Sequence, residues 1–337
     1  MNRPVAALFF LLFAAIARPA VSAPSAIFAF GDSLSDVGND LKAFKIPVSP
    51  PYYDGRFSNG PNWVEDLASH YGLAPMLPSL SGGTDYAYGG ARSGLRGTLI
   101  PGIPGTEVIP STREQVATFL DLHPTGVPRT ALYTVWSGAN DIIAAGFDYS
   151  SSGGTNALQL SAGIDQAAAF EATAINDLVK AGARDIVVVG LPDIGITPLF
   201  ATDFYHTFLP TTNTFVTAIS QQYNLTLSQA VARIPGVQYF DVLPLFANAV
   251  ADPASYGFAN ATTGCYAGVD FGKTPAPVCS DDLAVQNSYL FWDMVHPTQA
   301  GHALIAELVV PEPASATVLA LGLGGLLAAR RRVGQPG

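Results

Sequence analysis

Charge is scarce in these 337 residues. Only 12% are Asp, Glu, Lys or Arg, and just 16 are bases against 26 acids, a net charge of −10. Five of the 16 bases (Arg3, Arg18, Arg330, Arg331, Arg332) lie close to the two ends, so the body is more acidic than that figure. A body with no basic stripe excludes a nucleic-acid partner, because phosphate contacts need Lys and Arg, and it excludes charge-driven docking on anionic lipid. Cysteine is scarcer still. Cys265 and Cys279 are the only two. With no CxxC and no Cys/His ligand spacing, no structural zinc site is expected, and no other metal or cofactor signature is present. Apolar residues are plentiful at 49%, enough for a packed core in one large or two ordinary domains. No internal repeat and no linker divides the body.

Both ends read as addresses. Asn2-Arg3 precedes a 13-residue apolar run over 5–17 and the small-residue site Val21-Ser22-Ala23, the layout of a secretory signal peptide over 1–23. The run is shorter than the ~20 residues of a membrane span, which disfavours an uncleaved anchor. At the other end Val310-Pro311-Glu312-Pro313 leads into a charge-free stretch over 314–329 and then Arg330-Arg331-Arg332. This order resembles the PEP-CTERM sorting signal of Gram-negative bacteria over 310–337. The resemblance implies export, recognition by an exosortase-like processing enzyme and removal of the tail, with a permanent C-terminal anchor as the alternative. Export to the cell surface or medium would place both cysteines in an oxidising compartment, where two thiols pair. A Cys265–Cys279 disulfide is therefore expected.

Short, unalternating apolar runs at 26–31, 131–136, 186–190 and 237–241 read as strands buried on both faces, with a shorter candidate at 85–87. Helical periodicity falls between and after them, at 62–71, 113–120, 157–181, 215–233 and 298–309. Alternation of this kind predicts βαβ units. The expected fold is a three-layer α/β/α sandwich on a five-stranded parallel sheet of flavodoxin-like type, filling 24–309. The Gly/Ser/Thr cluster at 149–156 reads as an exposed loop, and 247–282 as a long loop stapled by the two cysteines.

Four clusters carry chemistry. Gly31-Asp32-Ser33-Leu34 puts a serine after the first strand, where a helix start would offer free N–H groups to an oxyanion. Asp293-Met294-Val295-His296 puts a carboxylate three residues before an imidazole. A serine hydroxyl needs a base, and that base needs a carboxylate to fix its tautomer. Tyr88-Gly89-Gly90 and Ser137-Gly138-Ala139-Asn140 each follow a strand and supply a close-approach backbone N–H and an amide side chain. Taken singly, each cluster reads equally as a turn, a helix cap or, for Asp293 and His296, a ligand pair. In this order the four resemble the blocks of the SGNH hydrolases, in their GDSL branch. The resemblance implies Ser33 as nucleophile, His296 as base, Asp293 as its partner, and Ser33, Gly89 and Asn140 as the oxyanion hole. Asp36-Val37-Gly38-Asn39 and the stretch from Gly55 to Trp63 resemble the exported lipase and acyltransferase-like members. Asp85 departs from the block pattern, which has Asn there. The GxSxG elbow of the α/β-hydrolases is absent. Asp36, Phe57, Trp63 and Asp193 are candidate substrate-pocket residues.

The expected activity is hydrolysis of carboxylic acyl esters through an acyl-enzyme, on a small-molecule, lipid or acylated-glycan ester, with acyl transfer or O-deacylation as the alternative. A non-catalytic surface protein would lack one of the blocks, and a metal-dependent phosphoesterase would need a second ligand cluster.

Overall fold

The computed structural model describes residues 23–98, 107–201 and 211–310. The expected leader and sorting tail lie outside the described residues, save Ala23 and Val310. The strands, in chain order, are β1 (Ile27–Gly31), β2 (Gly97–Thr98), β3 (Glu107–Ile109), β4 (Leu132–Trp136), β5 (Asp185–Val189), β6 (Val237–Phe240), β7 (Asn260–Gly264) and β8 (Tyr289–Phe291). The central sheet runs β1-β4-β5-β6, every pair parallel. In β1 and β4 all five residues are buried, as expected of strands covered on both faces.

The fifth expected strand is reduced to a single parallel bridge, Ala29 to Asp85. Residues 84–88 do run beside β1, with Ala29 N–H bonded to Thr84 O (3.1 Å), Tyr86 N–H to Ala29 O (2.8 Å) and Tyr88 N–H to Gly31 O (3.2 Å). Asp85 interrupts the ladder because its own carboxylate accepts the Ala87 N–H at 3.0 Å, curling the chain.

The helices are α1 (Asn39–Phe44), α2 (Trp63–His70), α3 (Thr112–Asp121), α4 (Ala139–Ser151), α5 (Ala157–Ala181), α6 (Pro198–Ala201), α7 (Thr212–Val231), α8 (Leu243–Ala251), α9 (Leu283–Gln286) and α10 (Gln299–Val309). Helices α2 and α3 start from capping boxes, Asn62 with Glu65 and Ser111 with Glu114. Along α5 the buried positions Ile164, Ala168, Ala172, Ile175 and Leu178 form one stripe, and Gly182 in the left-handed region ends the helix. Helix α5 packs against both α3 and α7, and α2 packs on α10, completing a three-layer α/β/α sandwich. Two of the expected loops are partly regular: α4 runs through the first three residues of the 149–156 cluster, and the end of α8 and the whole of β7 fall within 247–282. Cys265 and Cys279 are joined as a disulfide.

Gly31 is where the first strand meets the site. Its φ is 151°, and a Cβ there would sit 2.0 Å from the Trp136 carbonyl oxygen, a backbone atom that cannot yield. The buried Gln115 amide clamps both polar groups of this residue, accepting Gly31 N–H (2.9 Å) and donating to Gly31 O (2.8 Å). Gly31→Ala is expected to cost at least about 4 kcal/mol of stability by urea unfolding. A loss under about 1 kcal/mol would show that the strand end is not so confined.

Candidate active site

After Gly31 the chain leaves the sheet in a turn. Asp32 O accepts the N–H groups of Ser35 and Asp36 (both 3.0 Å), and Asp32 Oδ1 accepts Leu34 N–H (3.0 Å). Ser33 thus stands on a turn, whereas the sequence places it at a helix start; α1 begins only at Asn39. The polar groups of Asp32 and Asp36 close the chain into side-chain-capped turns before a helix can form.

From the far end of the chain, β8 delivers a second tight turn. Trp292 N–H bonds His296 O (2.7 Å), while Asp293 Oδ1 accepts N–H from Val295 (2.9 Å) and His296 (2.8 Å). The turn folds the imidazole against the carboxylate, with Nδ1 2.8 Å from Asp293 Oδ2, and sets Nε2 2.9 Å from Ser33 Oγ. Since an ionised carboxylate only accepts, Nδ1 carries the proton and Nε2 is left to accept from the serine hydroxyl. Burial opposes the charge of Asp293, but His296 and the Tyr52 hydroxyl more than offset it and hold its pKa below the ordinary value. Tyr52 was not picked out from the sequence. It lies 241 residues from Asp293 and donates its phenol to Oδ2 at 2.6 Å.

Three groups of donors line the same cavity as Ser33. Its own N–H has no acceptor among the described residues. Asn140, one residue into α4, spends one amide hydrogen on Ala91 O (3.0 Å) and keeps the other. Gly89 lines the same cavity, yet its N–H points to Asp36 Oδ2 (3.2 Å). Gly90, in the left-handed region at φ 78°, is the next residue, and its N–H has no acceptor among the described residues. In this arrangement the free backbone donor of the turn is therefore Gly90 rather than Gly89.

These groups open onto a cavity of about 1000 Å³. Its walls are largely apolar, with Ile109, Ile143, Leu199, Phe246 and Met294 among them. Phe57 lines it, its ring centroid 5.2 Å from that of His296, and Phe271 meets Phe57 edge-on at 5.4 Å.

The other three expected pocket residues lie off the cavity wall. Trp63 is fully buried, set edge-on to Trp136 (5.5 Å) with its indole N–H on Ser35 Oγ (3.1 Å). Asp36 is buried and occupied, accepting N–H from Gly38 (2.7 Å), Asn39 (2.6 Å) and Asp40 (3.1 Å) as well as from Gly89. Asp193 caps Gly195 N–H (2.8 Å) and holds the Thr217 hydroxyl (2.9 Å). Asp85, the departure from the block pattern, ties two clusters together by accepting Val37 N–H at 2.7 Å.

Acids crowd beneath this site. Burial raises Asp32 to about 7, although Leu34 N–H and His296 pull it back. Burial also raises Asp36 to about 6 against its bonds from backbone N–H groups. Asp40 and Asp85 are pushed well above the ordinary carboxylate value, by burial first and then by neighbouring carboxylates. Neither oxygen of Asp40 has a hydrogen-bond partner among the described residues.

Comparison with known proteins follows the same lines. Phosphatidylcholine–sterol acyltransferase of Aeromonas hydrophila is 29% identical over 332 residues, covering 87% of this chain and 90% of that protein. A GDSL esterase/lipase of Arabidopsis thaliana is 27% identical over 337 residues, covering 85% of each. Among solved structures, the extracellular lipase of Streptomyces rimosus superposes with a TM-score of 0.44 at 17% identity, covering 84% of this chain and 99% of that one. The family model for GDSL-like lipase/acylhydrolase matches residues 27–309, nearly the whole described body, so the chain belongs to that family and is a hydrolase of carboxylic esters.

Proposed function

We propose that the protein hydrolyses long-chain acyl esters through a serine acyl-enzyme, with Ser33 as nucleophile, His296 as general base and Asp293 as its orienting partner. The observation that carries this reading is the 2.9 Å contact between Ser33 Oγ and His296 Nε2, with Asp293 behind the imidazole. As the hydroxyl attacks the ester carbonyl, His296 takes its proton and returns it to the departing alcohol, leaving the acyl group on Ser33. Water then repeats the attack with the same base and frees the acid. The developing oxyanion would be held by the N–H of Ser33, the free amide hydrogen of Asn140 and the Gly89–Gly90 turn through Gly90 N–H.

Chain length is argued from the cavity. About 1000 Å³ is the upper end of ordinary ligand pockets, and apolar walls reward each buried methylene by about 0.8 kcal/mol. With p-nitrophenyl esters, kcat/KM is expected to rise from acetate to decanoate. A maximum at acetate would overturn the long-chain assignment. Asn140→Ala is expected to lower kcat by about 10²–10³-fold with residual turnover remaining. An unchanged kcat would remove Asn140 from the oxyanion hole.

Acyl transfer is the second reading, favoured by the acyltransferase from Aeromonas hydrophila that the chain resembles along most of its length. An apolar acceptor alcohol would displace water at the acyl-enzyme. Product analysis with an added sterol or long-chain alcohol decides it: ester product supports transfer, free acid alone supports hydrolysis. Export through the N-terminal leader and sorting through the C-terminal tail belong to the same proposal. The Cys265–Cys279 disulfide supports an oxidising destination.

A further inference from the structure

We propose that Tyr52 is a positioning residue for the reaction, its phenol fixing the outer oxygen of Asp293 so that the carboxylate holds His296 in place without binding its proton too strongly. The inference rests on the serine-relay reading above.

Asp293 is buried and its two oxygens are unequally served. Oδ1 takes two backbone N–H groups and shares the imidazole Nδ1 at 3.0 Å, while Oδ2 has that Nδ1 at 2.8 Å and the Tyr52 hydroxyl. Without the phenol, Oδ2 would face the imidazole alone. A carboxylate with fewer donors is more basic and attracts the imidazolium more strongly, so His296 would give its proton less readily to the leaving alcohol. Tyr52 remains an O–H donor throughout, because burial and then the charge of Asp293 raise its ionisation far above any working pH.

The ring is held by more than its hydroxyl. Val48 N–H bonds Phe271 O (2.8 Å) and the Ser49 hydroxyl bonds Tyr52 O (2.6 Å), fixing the segment. The ring itself lies edge-on to Tyr266 (5.5 Å) and Trp292 (6.2 Å), in a small apolar cluster with Cys265. Removing the oxygen therefore leaves the packing intact. The titratable groups facing this relay are Tyr266 and Asp270 beside Tyr52, and Asp32 and His302 near His296, besides the relay members themselves.

Tyr52→Phe is compared with Tyr266→Phe, whose hydroxyl bonds Thr274 O and does not touch Asp293. Turnover of p-nitrophenyl butyrate is measured from pH 5 to 9, and the His296 ring is titrated by NMR with each change placed on Ser33→Ala, a readout that needs no catalysis. Tyr52→Phe is expected to lower kcat roughly tenfold with little change in KM. The acid limb and the NMR midpoint should both move up by about 0.5–1 pH unit. Tyr266→Phe should move neither. Wild-type kcat and midpoint in Tyr52→Phe would overturn the proposal, and so would a lost rate with an unmoved midpoint, which marks a packing role. If Ser33→Ala itself stays active, the relay reading fails instead.

Discussion

Ser33→Ala is expected to reduce hydrolysis of p-nitrophenyl butyrate by about 10⁴–10⁶-fold while leaving the thermal midpoint almost unchanged. The side chain is half-buried, and among the described residues its hydroxyl bonds only His296 Nε2, so little stability is lost with it. His296→Ala should fall to the same floor. The double variant should fall no further, because nucleophile and base act as one unit and their losses do not add. Asp293→Asn tests a different link. The amide would donate where the carboxylate accepts, turning the imidazole to the tautomer whose Nε2 carries the proton, so that it no longer accepts from Ser33. A loss of about 10⁴-fold is expected there, with the fold retained. The residual rate in all these variants would come from binding and the oxyanion donors. Retention of a tenth of wild-type turnover by Ser33→Ala would take the serine out of the mechanism.

What the sequence disclosed follows from the range of the forces involved. Helix α5 was legible over 157–181 because its apolar stripe is a local pattern. β1, β4 and β5 were legible because a doubly covered strand needs an unbroken apolar run. The run at 237–241 was read the same way, but β6 is the edge strand with no fully buried residue and Gln238 exposed, because only one neighbouring strand and partial cover reach it. Helix α4 was missed. Its first turn, Ala139-Asn140-Asp141, reads as turn chemistry, and Gly146 in its interior is favoured only by close packing on Phe200 and Val216, which no local pattern shows. Ser33 and the Asp293–His296 pair, which the fold brings within hydrogen-bond distance, stood out because short motifs state chemistry directly. The roles that misplaced Asp36, Trp63 and Asp193 depended on which way a side chain faces, which is settled by tertiary neighbours. Asp36 turns inward to collect four N–H groups, and Trp63 turns to Trp136. Tyr52 had no local signal, since its partner is far along the chain.

Stability and activity should respond to pH in opposite directions. The folded chain keeps protons on carboxyl groups that an unfolded chain would lose near pH 4. Asp32 is raised to about 7 and Glu171 to about 8, both by burial, while Asp40 and Asp85 lie well above their ordinary value. Glu171, on the buried face of α5, accepts the Tyr223 phenol, and its other oxygen has no partner among the described residues. For a carboxyl whose folded pKa is raised, stability is complete at low pH and is lost as pH rises through the folded value, because the unfolded state then binds fewer protons. His302 works the other way: burial lowers it to about 3, so it favours the folded state as pH rises, but only until the unfolded histidine has also lost its proton near pH 6.5. Above that point the acids alone set the slope. The thermal midpoint is therefore expected to fall by on the order of 10 °C between pH 6.5 and 8.5, since each pKa unit is worth about 1.4 kcal/mol. Turnover should be maintained or rise over the same interval, because a general base acts in its unprotonated form. Glu171→Gln and Asp32→Asn remove one titrating group each and should flatten the decline, with Glu171→Gln acting at the higher pH. A midpoint that is flat or rising from pH 6.5 to 8.5 would mean that these carboxyls are already ionised in the folded protein. Burial beneath the catalytic turns would then not govern their charge.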